Sequence, residues 1–96
     1  MPTFEATTRF WRDFSDLTPA QRAAFRQAIA RFVADLSRRK FRGSLRVKGI
    51  RGGPGVFEMT WAQNGRATFQ FGDPVRTGEP HVVWRRVGTH EIFERP

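Results

Sequence analysis

Apolar residues recur along the chain at two different spacings, and the change from one to the other divides it into a helical half and a strand half. Thr3 to Thr8 reads as a short strand. Phe10, Trp11, Phe14 and Leu17 then fall at helical spacing and predict a short first helix. Thr18 as N-cap, Pro19 at the first helical position and Gln21 three residues after the cap form a capping box, so a second helix starts there. Phe25, Ala28, Ile29, Phe32, Val33 and Leu36 continue at steps of three and four, with Arg22, Arg26, Arg31 and Asp35 largely off that stripe. From Pro19 to Arg39 the helix would run roughly 30 Å at 1.5 Å per residue, and Gly43 is a suitable stop. An apolar stripe of that length needs a sheet or another helix over it.

The second half supplies a sheet. Leu45, Val47 and Ile50 suggest a strand, which Gly52, Gly53, Pro54 and Gly55 end in a turn. Val56 to Ala62 and Arg66 to Phe71 flank Gln63, Asn64 and Gly65 and read as a hairpin. A two-residue Asn-Gly turn would put Phe57, Met59 and Trp61 on the same face as Thr68 and Gln70, wasting the alternation of both strands. A three-residue loop with Gly65 in the left-handed conformation instead gathers Phe57, Met59, Trp61, Ala67, Phe69 and Phe71 on one face. Glu58, Thr60, Arg66, Thr68 and Gln70 then share the outward face. After a loop through Asp73 to Pro80, His81 to Val87 forms a further strand. Its apolar residues occur in both parities, as in a central strand covered on both faces, which leaves open whether Arg85 or Arg86 points outward. The expected architecture is therefore α+β: a short N-terminal strand and a two-helix hairpin packed on an antiparallel-rich sheet of about four strands, in one domain spanning residues 1–96.

Composition narrows the function classes. The 96 residues include ten Phe and three Trp, enough for a small core, so disorder does not account for the high charge. With no cysteine there is no disulfide scaffold and no thiolate metal site. Two histidines far apart in sequence do not make a zinc site unaided, and no glycine-rich loop precedes a Lys-Ser or Lys-Thr pair, so neither metal nor nucleotide cofactor is expected. Without a hydrophobic leader over Met1 to Ser15, a cytoplasmic location is expected.

Charge is concentrated rather than spread. Of the 17 basic and 9 acidic residues, seven basic and no acidic ones fall within residues 38–51. These are Arg38, Arg39, Lys40, Arg42, Arg46, Lys48 and Arg51. Arginine dominates, and its planar fork suits bidentate phosphate contacts. A basic face can simply keep a protein soluble, but this local density favours a polyanion, with nucleic acid ahead of a membrane surface because no lipidation signal is present.

The order strand, helix, helix and sheet, closing on Val87-Gly88-Thr89-His90-Glu91-Ile92-Phe93, resembles the RelE/ParE superfamily of bacterial toxins over nearly the whole chain. The Gly-Thr-His segment followed closely by Phe93 is similar to the YafQ branch. The resemblance implies a toxin of a type II toxin–antitoxin system that cleaves mRNA on the ribosome, with a cognate antitoxin as partner and with no metal or small-molecule cofactor. It further implies a catalytic role for His90, a phosphate-stabilising role for Arg66 and a substrate-packing role for Phe93. Two departures stand out. The outward positions after the Gly-Pro-Gly turn are Glu58 and Thr60 where RelE-like members carry basic residues, and the chain has no tyrosine.

Metal-free RNA cleavage needs a base for the 2′-hydroxyl, positive charge at the phosphorus and an acid for the leaving oxygen. His90 suits acid or base work. Arg66 with Arg85 or Arg86 supplies charge, and Glu58, on the outward face with Arg66, is the candidate for the second proton-transfer group. Arg42, Arg46, Lys48, Arg51 and Arg85, with Phe93, are the candidate RNA contacts. Each also has a plain structural reading: His90 as a hydrogen-bonded turn residue, Glu58 and Arg66 as a cross-strand ion pair. His81, Trp61 and Trp84 are assigned to structure. Two other functions remain open, a ParE-like toxin that binds a protein target such as gyrase and cleaves nothing, and a plain nucleic-acid-binding module.

Overall fold

At the start of the long helix, the Thr18 hydroxyl accepts from the Gln21 amide at 3.1 Å while Gln21 Oε1 accepts from the Thr18 amide at 2.8 Å. The capping box anticipated from three residues is thus complete, and it satisfies two donors that a helix terminus would otherwise leave bare. A computed structural model of the chain describes residues 2–50 and 53–96; Met1, Arg51 and Gly52 lie outside the described residues. Strand β1 (Thr3–Ala6) leads into α1 (Thr8–Asp16) and α2 (Pro19–Ser37). A 3-10 turn (Gly43–Leu45), β2 (Lys48–Gly49), β3 (Val56–Thr60), β4 (Arg66–Gly72), β5 (His81–Gly88) and a final 3-10 turn (His90–Glu94) follow.

The fold is α+β, and the strands form one sheet in the order β1-β5-β4-β3-β2. β1 runs parallel to β5 and every other neighbour pair is antiparallel. Five strands stand where about four were expected. The excess is small, because β2 pairs through Lys48 and Gly49 alone. Both helices lie on one face of the sheet. Trp84 is the centre of that layer, with its ring 5.1 Å from Phe32, 5.3 Å from Phe69, 5.9 Å from Phe25 and 6.3 Å from Phe10. Each such side chain contributes about 1.5 to 3 kcal/mol by leaving water.

Three local differences from the sequence reading have identifiable causes. The second helix stops at Ser37, and the left-handed residue that follows is Arg39 (φ 57°) rather than a glycine. Asp35, expected off the apolar stripe, is completely buried. Its carboxylate accepts from the Arg42 amide and from Arg42 Nε, both at Oδ2 (2.9 and 2.8 Å), and from Arg42 and Arg38 Nη2 at Oδ1 (2.9 and 2.7 Å). Tying residue 42 back onto residue 35 folds the chain sharply after the helix, so Leu45 enters the core from a 3-10 turn instead of a strand. The strand foreseen from Leu45 to Ile50 shrinks accordingly.

In the hairpin, Phe57 pairs with Phe69 and Met59 with Ala67, so the faces are as the alternation argument requires. Gly65, however, has no positive φ; the positive-φ glycines among the described residues are Gly55 and Gly78. A Cβ on Gly65 would lie 2.5 Å from the Trp61 ring. Glycine is needed there for close approach rather than for handedness.

The mixed parity of β5 also has a local origin. Ala67 pairs with Val87 and Phe69 with Trp84, while the register between them shifts, so β5 carries one extra residue. Trp84 and Val87 therefore both face the helices, and Arg85 and Arg86 both face outward. Which arginine points outward has the answer that both do.

Candidate functional site

The outward face of the sheet carries a polar row in register: Lys48 opposite Glu58, Glu58 opposite Thr68, and Thr68 opposite Arg86. Alternation places these residues outward, but it does not leave them all in water. The final 3-10 turn folds back across this face and buries Ile92, with Gly88 approached so closely that a Cβ would lie 3.0 Å from Ile92 Cγ2. Beneath that cover Thr68 has no exposed surface and Glu58 retains 9%. The Thr68 hydroxyl has no protein hydrogen-bond partner.

Glu58 is held by Lys48, whose ammonium lies 3.2 Å from its carboxylate. Lys48, Glu58, Ile50, Phe93 and Pro96 enclose a cleft of about 440 Å³. His90 is exposed and opens the final turn, with its ring edge-on to Phe93 at 5.5 Å and 74°. Arg85 lies on the other side of Pro96. Its Nη1 donates to Gln70 Oε1 at 2.6 Å and its Nε to a Pro96 oxygen at 3.2 Å. Glu58, Lys48 and Phe93 thus line one cleft, which Arg85 adjoins through Pro96, while His90 is outside its lining and meets it through the Phe93 ring.

Other candidates are committed to the protein itself. Arg86 Nε and Nη2 hold both oxygens of Asp13 (2.6 and 3.1 Å), its Nη1 donates to the Arg95 carbonyl, and Asp13 also accepts from the Val87 amide. Arg66 Nη1 donates to the carbonyls of Ala62, Gln63 and Gly65, which closes the hairpin loop. Arg66 is in register with Gly88, so it occupies the same end of the sheet as His90. Arg42 is spent on Asp35. That contact, with further hydrogen bonds to Asp35, holds the Asp35 carboxyl well below the usual carboxylate range and pushes Arg42 up from its ordinary value. Arg46 is exposed and left-handed at φ 48°, and Arg51 lies outside the described residues. His81, assigned to structure, bridges Thr3 Oγ1 (2.7 Å) and Glu5 Oε1 (2.8 Å), fastening β1 to β5.

The residues that sequence reasoning missed are the partners: Asp13 for Arg86, Gln70 for Arg85, Asp35 for Arg42. Gln70 was legible as an outward side chain, but its pairing crosses 15 residues and that of Asp13 crosses 73. Among the described residues no cluster of His, Asp or Glu is suited to a metal ion, and no helix is long and apolar enough to cross a membrane.

Two helices on one face of a five-stranded sheet, with a C-terminal turn across the other, make up the fold of the RelE/ParE toxins. Among solved structures the chain is similar to YafQ from E. coli, at 10% identity over 97% of this chain and 98% of that one, with a TM-score of 0.64. It is similar to the YoeB/ParE toxin from Agrobacterium tumefaciens at 13% identity, 92% and 98% coverage and a TM-score of 0.65. The RelB-RelE antitoxin–toxin complex from Methanococcus jannaschii matches at 12% identity, 93% and 93% coverage and a TM-score of 0.59. No protein-family model matches the sequence, and no curated protein matches it. At such identities the likeness is one of fold.

Proposed function

We propose that the chain is the toxin of a toxin–antitoxin pair and that it cleaves mRNA on the ribosome without a metal ion. The observation that carries this reading is the convergence of Glu58, Lys48 and Phe93 on one cleft, with His90 against Phe93. Glu58 takes the proton of the 2′-hydroxyl, and the 2′-oxygen attacks phosphorus. As the bond from phosphorus to the 5′-oxygen breaks, the His90 imidazolium gives that oxygen its proton, leaving a 2′,3′-cyclic phosphate. Arg85 and the Lys48 ammonium face the charge that accumulates on the phosphoryl oxygens. Phe93 offers a ring to a displaced base. Arg66, occupied by loop carbonyls, adds charge at that end of the sheet without needing to touch substrate.

The antitoxin is the second partner in this reading, supported by the likeness to the toxin of the RelB-RelE complex. An acidic segment laid over the outward face would cover the cleft and meet Arg85, Arg46 and Lys48. The ribosome and mRNA place the work in the cytoplasm. His90→Ala, at an exposed position, is expected to leave folding intact and to lower mRNA cleavage in a purified translation system by about 10²- to 10⁴-fold. Full toxicity in a folded His90→Ala protein would overturn the nuclease reading.

One observation favours a second reading. Arg86, which a nuclease would aim at phosphate, has Nε, Nη1 and Nη2 all engaged by protein acceptors, and Arg66 gives its Nη1 to loop carbonyls. A ParE-like toxin that binds a protein target and cleaves nothing needs no such cations, and it would retain toxicity after loss of His90.

A further inference from the structure

Gln70 stands at the border of the Glu58 cleft and has no part in the chemistry above. On the outward face, Val56 is opposite Gln70 and Glu58 is opposite Thr68. Gln70 and Glu58 are therefore diagonal neighbours, about 7 to 8 Å apart, a separation that long side chains bridge. Gln70 also adjoins the cleft from the side of β5. Its Oε1 accepts from Arg85 Nη1 at 2.6 Å, and Arg85 Nε donates to an oxygen of Pro96, which lines the cleft together with Glu58.

The Arg85 contact settles how the Gln70 amide is turned. A guanidinium only donates, so the carboxamide must give it the oxygen, and the amino group is the end left over. A short charge-assisted bond holds that orientation before any ligand arrives. Gln70 Nε2 has no hydrogen-bond partner among the described residues. The neighbouring acceptors are already engaged, the Glu58 carboxylate by Lys48 and the Pro96 oxygen by Arg85.

We propose that the Gln70 amino group reads the base of the nucleotide whose ribose lies at Glu58, selecting the oxo bases guanine and uracil over the amino bases adenine and cytosine. The inference rests on the nuclease reading for the identity of the ligand. Stacking on Phe93 accepts any base, because every base has a π-face. A preference among bases needs a directional group at the base edge. At the edge that separates them, guanine O6 and uracil O4 accept, whereas adenine N6 and cytosine N4 donate. Gln70 Nε2 has only hydrogens to offer, and Arg85 beside it is likewise a donor alone. An oxo group completes the hydrogen bond; an amino group sets donor against donor and leaves both unpaired.

The test is fluorescence anisotropy of labelled cytidine pentanucleotides whose central residue is 2′-deoxyinosine or 2′-deoxyadenosine. The two bases differ chiefly in carrying an oxo or an amino group at position 6, and the missing 2′-hydroxyl prevents cleavage at that nucleotide. The parent protein should bind the inosine strand about 2- to 12-fold more tightly, the value of one hydrogen bond. Gln70→Glu keeps an oxygen for Arg85 and replaces the amino group by an acceptor of the same size, so it should reverse the preference with an unchanged melting temperature. The added negative charge lowers affinity for both strands alike and cancels in their ratio. Equal affinities in the parent, or no measurable binding of either strand, would overturn the proposal. So would an inosine preference that survives in Gln70→Glu, since the discriminating donor would then lie elsewhere. Because binding is read without cleavage, a protein that cuts no mRNA in the translation system yet shows the reversal refutes the nuclease chemistry and leaves the role of Gln70 standing.

Discussion

Gly65→Ala is the sharpest test of how the hairpin is built. The new methyl carbon would lie 2.5 Å from Trp61 Cδ2 and Cε2 and 2.8 Å from Cε3, where carbon atoms normally rest about 3.5 to 4.0 Å apart. Roughly 1 Å must be recovered. Trp61 has little room to retreat, since it is 6% exposed, its ring meets Phe25 edge-on at 6.1 Å, and its Nε1 donates to the Arg66 carbonyl at 2.9 Å. Overpacking of this kind costs about 1 to 3 kcal/mol, and loss of the indole hydrogen bond adds about 1 kcal/mol. A loss of about 2 to 4 kcal/mol is thus expected, out of a total stability of about 5 to 15 kcal/mol. In urea, with a slope of about 1.5 kcal/mol per M, the midpoint should fall by about 1.3 to 2.7 M with the slope unchanged. Tryptophan fluorescence reads the transition directly. Gly43→Ala, where an added Cβ meets nothing within 4 Å, is the control and should stay within about 0.5 kcal/mol. Gly65→Asn separates the two explanations of this glycine. A left-handed turn would tolerate asparagine, whereas close approach makes it as damaging as alanine. A Gly65→Asn protein as stable as the parent would refute the close-approach argument.

Two further outcomes follow from the ion pairs. Asp35 has its folded-state pKa depressed, chiefly by Arg42, so its contribution is present above the unfolded value near 3.9 and is lost as pH falls below it. Asp35→Asn should therefore be less stable at neutral pH and lose less on acidification, measured by melting temperature against pH; parallel curves for the two proteins would refute this. Asp13→Ala strands the 13%-exposed Arg86 without its counter-charge and should cost about 3 kcal/mol in urea unfolding, part of which Asp13→Ala/Arg86→Met restores. Equal stability of Asp13→Ala and the parent would show that Arg86 finds water instead.

Where the forces are local, the chain announced its structure. Thr18, Pro19 and Gln21 sufficed to begin α2, and the alternation from Phe57 to Phe71 sufficed to choose the hairpin's faces, because both signals act between residues a few positions apart. The Gly88-Thr89-His90 segment and Phe93 were likewise readable as a candidate site. What the sequence left undecided depends on contacts between distant residues. Asp35 is as polar as Asp16, and its burial depends on Arg42 folding back onto it. Gly65 marks a turn in any hairpin, yet its requirement here comes from the Trp61 ring above it. The extra residue in β5 has no pattern of its own, since a bulge is a mismatch between two strands and belongs to neither alone. That mismatch turns both Arg85 and Arg86 outward. One is then claimed by Asp13, 73 residues away, and the other is left beside the cleft. Residue types and periodicity set which side chains were candidates; tertiary packing decided which arginines remained available, because a guanidinium already satisfied by carboxylate or carbonyl oxygens has few donors left for a substrate.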